Sequence, residues 1–214
     1  MRTHPVFLRL EGRACVVIGG DEAALEKARA CRDAGATVTV VAPALASSDP
    51  EPGIRWLRRD YEPGDLRGAA LCYAVTRDAD LIARLRHEAR EEHVLLNVLD
   101  VPDACDFFAA AVVARGALQI AIGTGGESPA LAARLRRQLA EVVGPEYGTY
   151  LAILGAVRRR LDAGPARTAV VTALLDSPLL DLVRRDDRPA IDRLLAEVAG
   201  SRCTLGALGL EAAG

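Results

Sequence analysis

The chain has 214 residues, half of them apolar, which is enough to bury a real core in one large or two small domains. Its 27 basic and 29 acidic residues leave a net charge of −2, so nothing draws it globally to nucleic acid and any anionic partner must be met locally. Cys15, Cys31, Cys72, Cys105 and Cys203 are odd in number, widely spaced and without a C-x-x-C, and most sit in apolar runs, which predicts reduced core residues.

The first residues, Met1-Arg2-Thr3-His4-Pro5, lack the apolar core of a signal peptide, and no apolar run reaches membrane-spanning length. A cytoplasmic protein without a membrane partner is expected. Val6-Phe7-Leu8-Arg9-Leu10 is a short apolar segment, expected to pad a sheet. Ala14 to Ile18 reads as a buried parallel strand, Gly19-Gly20 as a turn, and the Ala-rich run to about Ala34 as a helix. In a dinucleotide-binding fold this turn brings a helix N-terminus against a pyrophosphate. The G-x-G-x-x-G/A pattern gives Gly19 for the turn and Ala24 for close helix packing, but puts Asp21 where the second glycine belongs. Asp21 brings a negative charge to a phosphate site; alternatively it N-caps the helix and occupies the N–H groups a phosphate needs.

Gly35 fits a helix C′ position and Thr37 to Val41 a β-branched strand, completing one β-α-β unit. Neither a ribose-binding carboxylate nor an arginine for a 2′-phosphate follows that strand, which leaves NAD and NADP both open. Ala46 to Pro52 is an exposed loop, and Ile54 to Leu57 a third strand whose Trp56 is a partly buried edge residue. Ala69 to Val75 and Val94 to Val98 are further strands, flanking a helix opened by Thr76-Arg77-Asp78 and ending near Glu92. Strands joined by helical crossovers predict a doubly wound parallel sheet, with ligands collecting beyond the strands' carboxyl ends. Asp100 lies at that edge, placed either for chemistry or as a turn former.

The pattern changes at Ala109. Two apolar runs around Arg115-Gly116 predict a hairpin and the start of a second structural unit. After Gly123-Thr124-Gly125-Gly126, Ser128 can N-cap and Pro129 can open a helix running to about Val143. The chain is helical from Glu146, with Arg158-Arg159-Arg160, a break at Ala163-Gly164-Pro165, and short helices around Leu174, Leu180 and Ile191 to Val198. His4, His87 and His93 have no metal-ligand spacing, so no metal-ligating residue is assigned, and a chelatase need hold its metal only in passing.

The segments Pro5-Val6-Phe7-Leu8, Val17-Ile18-Gly19-Gly20, Gly35 to Pro43, Asn97-Val98-Leu99-Asp100-Val101-Pro102 and Ile120 to Ala132 together resemble the precorrin-2 dehydrogenase family, which includes the N-terminal module of siroheme synthases. The likeness runs from about residue 5 to about residue 160. The pair N-V-x-D-x-P and I-A-x-x-T-G-G-x-S-P carries most of it. The resemblance implies a Rossmann domain over 1–112, a linking and dimerisation unit over 113–146, a helical domain over 147–214, and a homodimer. It implies NAD-dependent oxidation of precorrin-2 to sirohydrochlorin, with insertion of ferrous iron by some members. Asp100 matches the family's catalytic aspartate. The nucleotide contacts correspond to Gly19, Gly20, Glu22, Ala23, Pro43 and Ala44, and Thr124 stands where some relatives have serine. At Asp21, relatives commonly carry a third glycine.

A polycarboxylate substrate also needs guanidinium donors, for which Arg115, Arg134, Arg136, Arg137 and Arg158 to Arg160 are candidates, Arg115 foremost because its turn is close in sequence to the Asp100 loop; Thr124 and Ser128 are the other substrate-binding candidates. A chelatase without the dehydrogenase step and a non-catalytic tetrapyrrole-binding protein are the competing classes.

Overall fold

The computed structural model describes residues 3–47 and 51–210. Met1, Arg2 and positions 48–50 of the expected 46–52 loop lie outside the described residues. Two compact units form, one running to Ala109 and taking in 125–127, the other made of 110–124 and the chain from Ser128 onward.

The first unit is a five-stranded, wholly parallel sheet in the order β3-β2-β1-β4-β5. Its strands are β1 (Ala14–Ile18), β2 (Thr37–Val41), β3 (Ile54–Leu57), β4 (Leu71–Ala74) and β5 (Leu95–Val98). Because side chains alternate along a strand, β1 serves two cores. Cys15 and Val17 meet Ala24, Ala28 and Cys31 of helix α1 (Glu22–Asp33), while Val16 and Ile18 share a cluster with Leu85 and Ala89 of α2 (Ala79–Glu91). Helices therefore cover both faces, as a doubly wound sheet requires. Asp21 and Asp78 cap the two helices with their side chains, and Gly35, at φ +84°, closes α1 with its N–H on the Arg32 carbonyl.

Two expectations need correction. Against the expected helical crossovers, among the described residues no helix joins β3 to β4. On the α2 side, the 58–70 loop fills the helix position with buried Tyr61 and Leu66. The buried Glu88 carboxylate accepts the Tyr61 hydroxyl and the N–H groups of Gly64 and Leu66, the latter two at 2.9 Å each, so the loop's polar backbone is satisfied without a helix. Burial first, and the Glu88 carboxylate next, push the Tyr61 phenol well above its ordinary pKa. The second correction concerns Val6, Phe7 and Leu8, which do not pad the sheet: they form no strand and stay exposed. The chain turns from Leu10 directly into β1, whose two edges are already taken by β2 and β4.

Trp56 lies half-buried on edge strand β3, its indole N–H donating to the Ala42 carbonyl at 2.8 Å. All five cysteines are free, and four of them are buried.

The second unit opens with an antiparallel hairpin, β6 (Ala111–Arg115) and β7 (Leu118–Ile122), whose register pairs Arg115 with Leu118. Gly116, at φ +57°, takes the first position of the two-residue turn. Helix α3 (Pro129–Val142) is capped by the Ser128 hydroxyl, which accepts the Leu131 N–H at 3.2 Å, with Pro129 in its first turn. Helices α4 (Glu146–Arg160), α5 (Pro165–Leu175), α6 (Leu179–Arg184) and α7 (Arg188–Ala199) follow, around a core of Ile153, Val157, Leu174, Leu179, Ile191 and Leu195. The class is α/β, a Rossmann-like parallel sheet followed by a small hairpin and a helical C-terminal region.

Candidate nucleotide and acid–base site

The turn after β1 is held from both sides. Gly19 donates to the Val41 carbonyl at the end of β2 (3.0 Å), while Val75 donates to the Ile18 carbonyl (2.8 Å) and Ala46 to the Gly20 carbonyl (2.6 Å). Gly19 has φ +122°, where a side chain would be strained and its Cβ would stand 3.1 Å from the Val75 carbonyl oxygen. A Cβ on Gly20 would fall 1.9 Å from the Ala44 carbonyl oxygen. Both glycines thus let the β1 turn meet its neighbours, with Pro43 and Ala44 exposed on the adjoining loop.

Ala24, the third position of the fingerprint, is buried, 3.6 Å from where a Gly19 Cβ would be. Asp21 adopts the capping role: its Oδ1 accepts the Ala24 N–H at 2.9 Å. It does not consume the whole helix terminus. Among the described residues, the N–H groups of Glu22 and Ala23 have no acceptor. These two donors, with the positive end of the helix dipole, fit an anionic phosphate, and the Asp21 carboxylate is a negative neighbour to it. The Glu22 side chain turns along the helix to Arg29 (2.7 Å), which also holds Glu51 (2.6 Å). Arg29 and Arg32 together hold the Glu51 carboxyl below its usual range. Glu22 is therefore available to a nucleotide through its backbone.

Asp100 lies at the carboxyl end of β5, exposed, with φ +61° in the left-handed region. An aspartate tolerates that conformation better than most residues, yet it is uncommon and concentrated at functional turns. Leu99 donates to the Ala74 carbonyl (2.9 Å) and Val101 to the Val98 carbonyl (3.2 Å), closing the turn. Among the described residues its carboxylate has no hydrogen-bond partner. The β1 turn and Asp100 share the sheet's carboxyl edge, separated by the width of β4, or about 10 Å for two strand spacings.

Arg115, Thr124 and Ser128 belong to the second unit. The Arg115 guanidinium caps the end of α3, donating from Nε to the Val143 carbonyl (2.9 Å) and from Nη2 to the Ala140 carbonyl (3.0 Å), with Nη1 on the Ala114 carbonyl (3.0 Å). Thr124 Oγ1 accepts the Ser128 N–H at 3.3 Å. Arg134, Arg136, Arg137 and Arg158 to Arg160 are exposed on helices.

Asn97 and Cys105, which stand in the sequence as a motif residue and one of five thiols, gain local roles only in the fold. Asn97 is a buried amide in an otherwise apolar strand, a signal that it needs a partner, and its Nδ2 donates to the Phe107 carbonyl at 2.7 Å. Among the described residues no group of three His, Cys, Asp or Glu side chains is placed to hold a metal ion, and no helix is long and apolar enough to cross a membrane.

A parallel sheet with helices on both faces, a glycine turn at a helix N-terminus and free donors there define a dinucleotide-binding α/β protein. A family model described as "Putative NAD(P)-binding" matches residues 6–111, and one described as "Sirohaem biosynthesis protein central" matches residues 115–141. The siroheme synthase of Methylobacillus flagellatus is 37% identical over 175 residues, covering 78% of this chain and 38% of that protein. That of Azotobacter vinelandii is 35% identical over 206 residues, covering 92% of this chain and 44% of that protein. The chain spans about two-fifths of the length of these curated relatives. A solved structure titled SirC, precorrin-2 dehydrogenase, shares the fold with a TM-score of 0.71 at 24% identity, covering 89% of this chain and 100% of that one. Over the part of those proteins that it matches, the chain belongs to the siroheme synthase family.

Proposed function

We propose that the chain oxidises precorrin-2 to sirohydrochlorin in sirohaem biosynthesis, with NAD as hydride acceptor and Asp100 as the general acid/base. The observation that carries this is one sheet edge bearing both the α1 terminus with its two free N–H groups and the exposed Asp100 turn. Bound NAD supplies the hydride acceptor. The protein's part is to hold the dinucleotide's phosphates on the Glu22 and Ala23 N–H groups, with Gly19, Gly20, Pro43 and Ala44 forming the turn and loop around them. The segment Ala42 to Ala46 carries neither a carboxylate for a ribose hydroxyl nor a basic side chain for a 2′-phosphate, so the choice of NAD rests on the family resemblance. Removing a hydride from the substrate leaves a proton to be taken up, and the Asp100 carboxylate accepts it.

The remaining N–H groups of Arg115 and the hydroxyl hydrogens of Thr124 and Ser128 are donors suited to substrate carboxylates. The protein is proposed to be a cytoplasmic homodimer divided as 1–112, 113–146 and 147–214. Exposed Val112 on β6 and Leu131, Leu135 and Val142 on α3 support self-association, which light scattering on the purified protein checks.

Anaerobic conversion of precorrin-2, followed by absorbance with and without NAD, tests the activity. Asp100→Asn should lower turnover at least about a hundredfold while the protein stays folded, since an amide cannot accept the proton. Full turnover by Asp100→Asn would overturn the assignment. The Asp21 charge favours one second reading, a chelatase inserting ferrous iron into sirohydrochlorin without the oxidation step. Iron insertion together with no calorimetric NAD binding would establish it.

A further inference from the structure

The Asp100 turn is the tip of a loop whose base is latched by a thiol. After Asp100 the chain makes a short 3-10 turn, Pro102–Ala104, with buried Ala104 donating to the Val101 carbonyl (2.9 Å) and Cys105 to the Pro102 carbonyl (3.1 Å). Cys105 then returns to the end of β5. Its Sγ accepts the Val98 N–H at 3.3 Å and lies 3.2 Å from the Val98 carbonyl and 3.3 Å from the Val101 carbonyl, either of which can take the S–H. Both ends of the turn carrying Asp100 thus converge on one sulfur.

The following residues extend this arrangement along the outer edge of β5. Asp106 donates its N–H to the Leu96 carbonyl (2.7 Å) and accepts the Leu96 N–H on Oδ2 (2.9 Å), and Asn97 holds the Phe107 carbonyl. The backbone and side chain of Asp106, with the Asn97 amide, here do what a sixth strand would do. Burial pushes the Cys105 thiol up, so it keeps the hydrogen it donates.

We propose that Cys105 is a positioning residue for Asp100, its neutral thiol holding the left-handed turn that presents the carboxylate to substrate. This rests on the assignment of Asp100 as the acid/base. A thiol suits the place because it can both accept the Val98 N–H and donate to a carbonyl. Without it the turn loses its only side-chain tie among the described residues, and Asp100 no longer has to keep an uncommon backbone conformation. Misplacement of a reacting group by about 1 Å can cost on the order of a hundredfold in rate, so the effect belongs in kcat.

The test is a set of Cys105 variants in the full chain, assayed for precorrin-2 oxidation beside NAD calorimetry and hydrogen exchange at the Val98 amide. Cys105→Ala should lower kcat about ten- to a hundredfold, with KM and the NAD Kd within about twofold, and should speed exchange at Val98. Cys105→Ser, which can still accept and donate, should recover kcat to within about threefold of wild type. In an Asp100→Asn background Cys105→Ala should cost nothing further, because a residue acting through Asp100 has nothing left to position. If the alanine variant does not fold, Cys105→Val, which keeps the volume without the hydrogen bonds, takes its place with the same expected loss. Wild-type kcat in the folded variant, an additive loss in the double variant, or failure of both alanine and valine variants to fold would overturn the proposal. Full activity of Asp100→Asn alone would instead overturn the acid/base assignment, a result the Cys105 variants cannot produce.

Discussion

Asp21→Asn isolates the feature in which the turn after β1 departs from the G-x-G-x-x-G/A pattern. The substitution keeps the side-chain oxygen that caps the Ala24 N–H at 2.9 Å and removes only the charge. Asn and Asp are equally good N-caps, so the helix should lose no more than the charge–dipole attraction, about 0.3–1 kcal/mol. A phosphate held on the Glu22 and Ala23 N–H groups at ordinary hydrogen-bond distance would have oxygens about 5 Å from the Asp21 carboxylate. Two unit charges at about 5 Å repel by roughly 0.8 kcal/mol in water. Asp21 is exposed, so the water value is the appropriate one. Screening at physiological salt cuts it roughly in half, and a pyrophosphate carries two such charges, giving about 0.8 kcal/mol in all. NAD should therefore bind about fourfold more tightly to Asp21→Asn, and the gain should fade toward about 1 M salt, where the Debye length is near 3 Å. Calorimetric titration of both proteins at low and high salt measures it. Equal or weaker binding by a variant that melts normally would refute the reasoning, because Asp21 would then have to contribute a favourable contact of its own. Asp21→Gly is the poorer probe, since it also loses the cap and adds backbone freedom.

Gly20→Ala would place a methyl 1.9 Å from the Ala44 carbonyl oxygen and 2.9 Å from the Ala42 Cβ; the strain should cost about 1–3 kcal/mol or more, and a thermal melt unchanged from wild type would show that the turn is not clasped. Glu88→Ala leaves the Gly64 and Leu66 N–H groups and the Tyr61 hydroxyl without their buried acceptor, and should lower the urea midpoint by the equivalent of roughly 3–5 kcal/mol, with Glu88→Gln milder because its amide oxygen still accepts the two N–H groups. Asp65 pairs with both Arg59 Nη atoms at 2.6 and 2.8 Å and also accepts the Glu62 N–H, so its folded pKa is depressed, chiefly by Arg59. Its contribution is present above the ordinary aspartate value of about 4 and is lost as the pH falls through the lower folded value; the gap in urea midpoint between wild type and Asp65→Asn should therefore close in that acid range and stay constant above it.

Local pattern alone determined much of the secondary structure in both units. Runs such as Ala14 to Ile18 and Thr37 to Val41 are too apolar and β-branched to be anything but buried strands, and Gly35, Asp78, Ser128 and Pro129 mark helix ends by chemistry that acts within a few residues. The position of Asp100 at the sheet's carboxyl edge was legible for the same reason, since a turn after a parallel strand can lie nowhere else. What tertiary structure decided are the contacts between residues distant in sequence or directed by backbone conformation. Helical periodicity could not show that the 58–70 loop replaces a helix, because its stability comes from Glu88 on α2, more than twenty residues away. Nor could composition show that Val6 to Leu8 find no place on a sheet whose central strand is already paired on both sides. Arg115 reads as a free guanidinium until α3 folds back and offers its last carbonyls. Cys105 reads as one more core thiol until the 3-10 turn brings its sulfur back to Val98, for a hydrogen bond depends on distance and direction, which a linear chain acquires only when it folds.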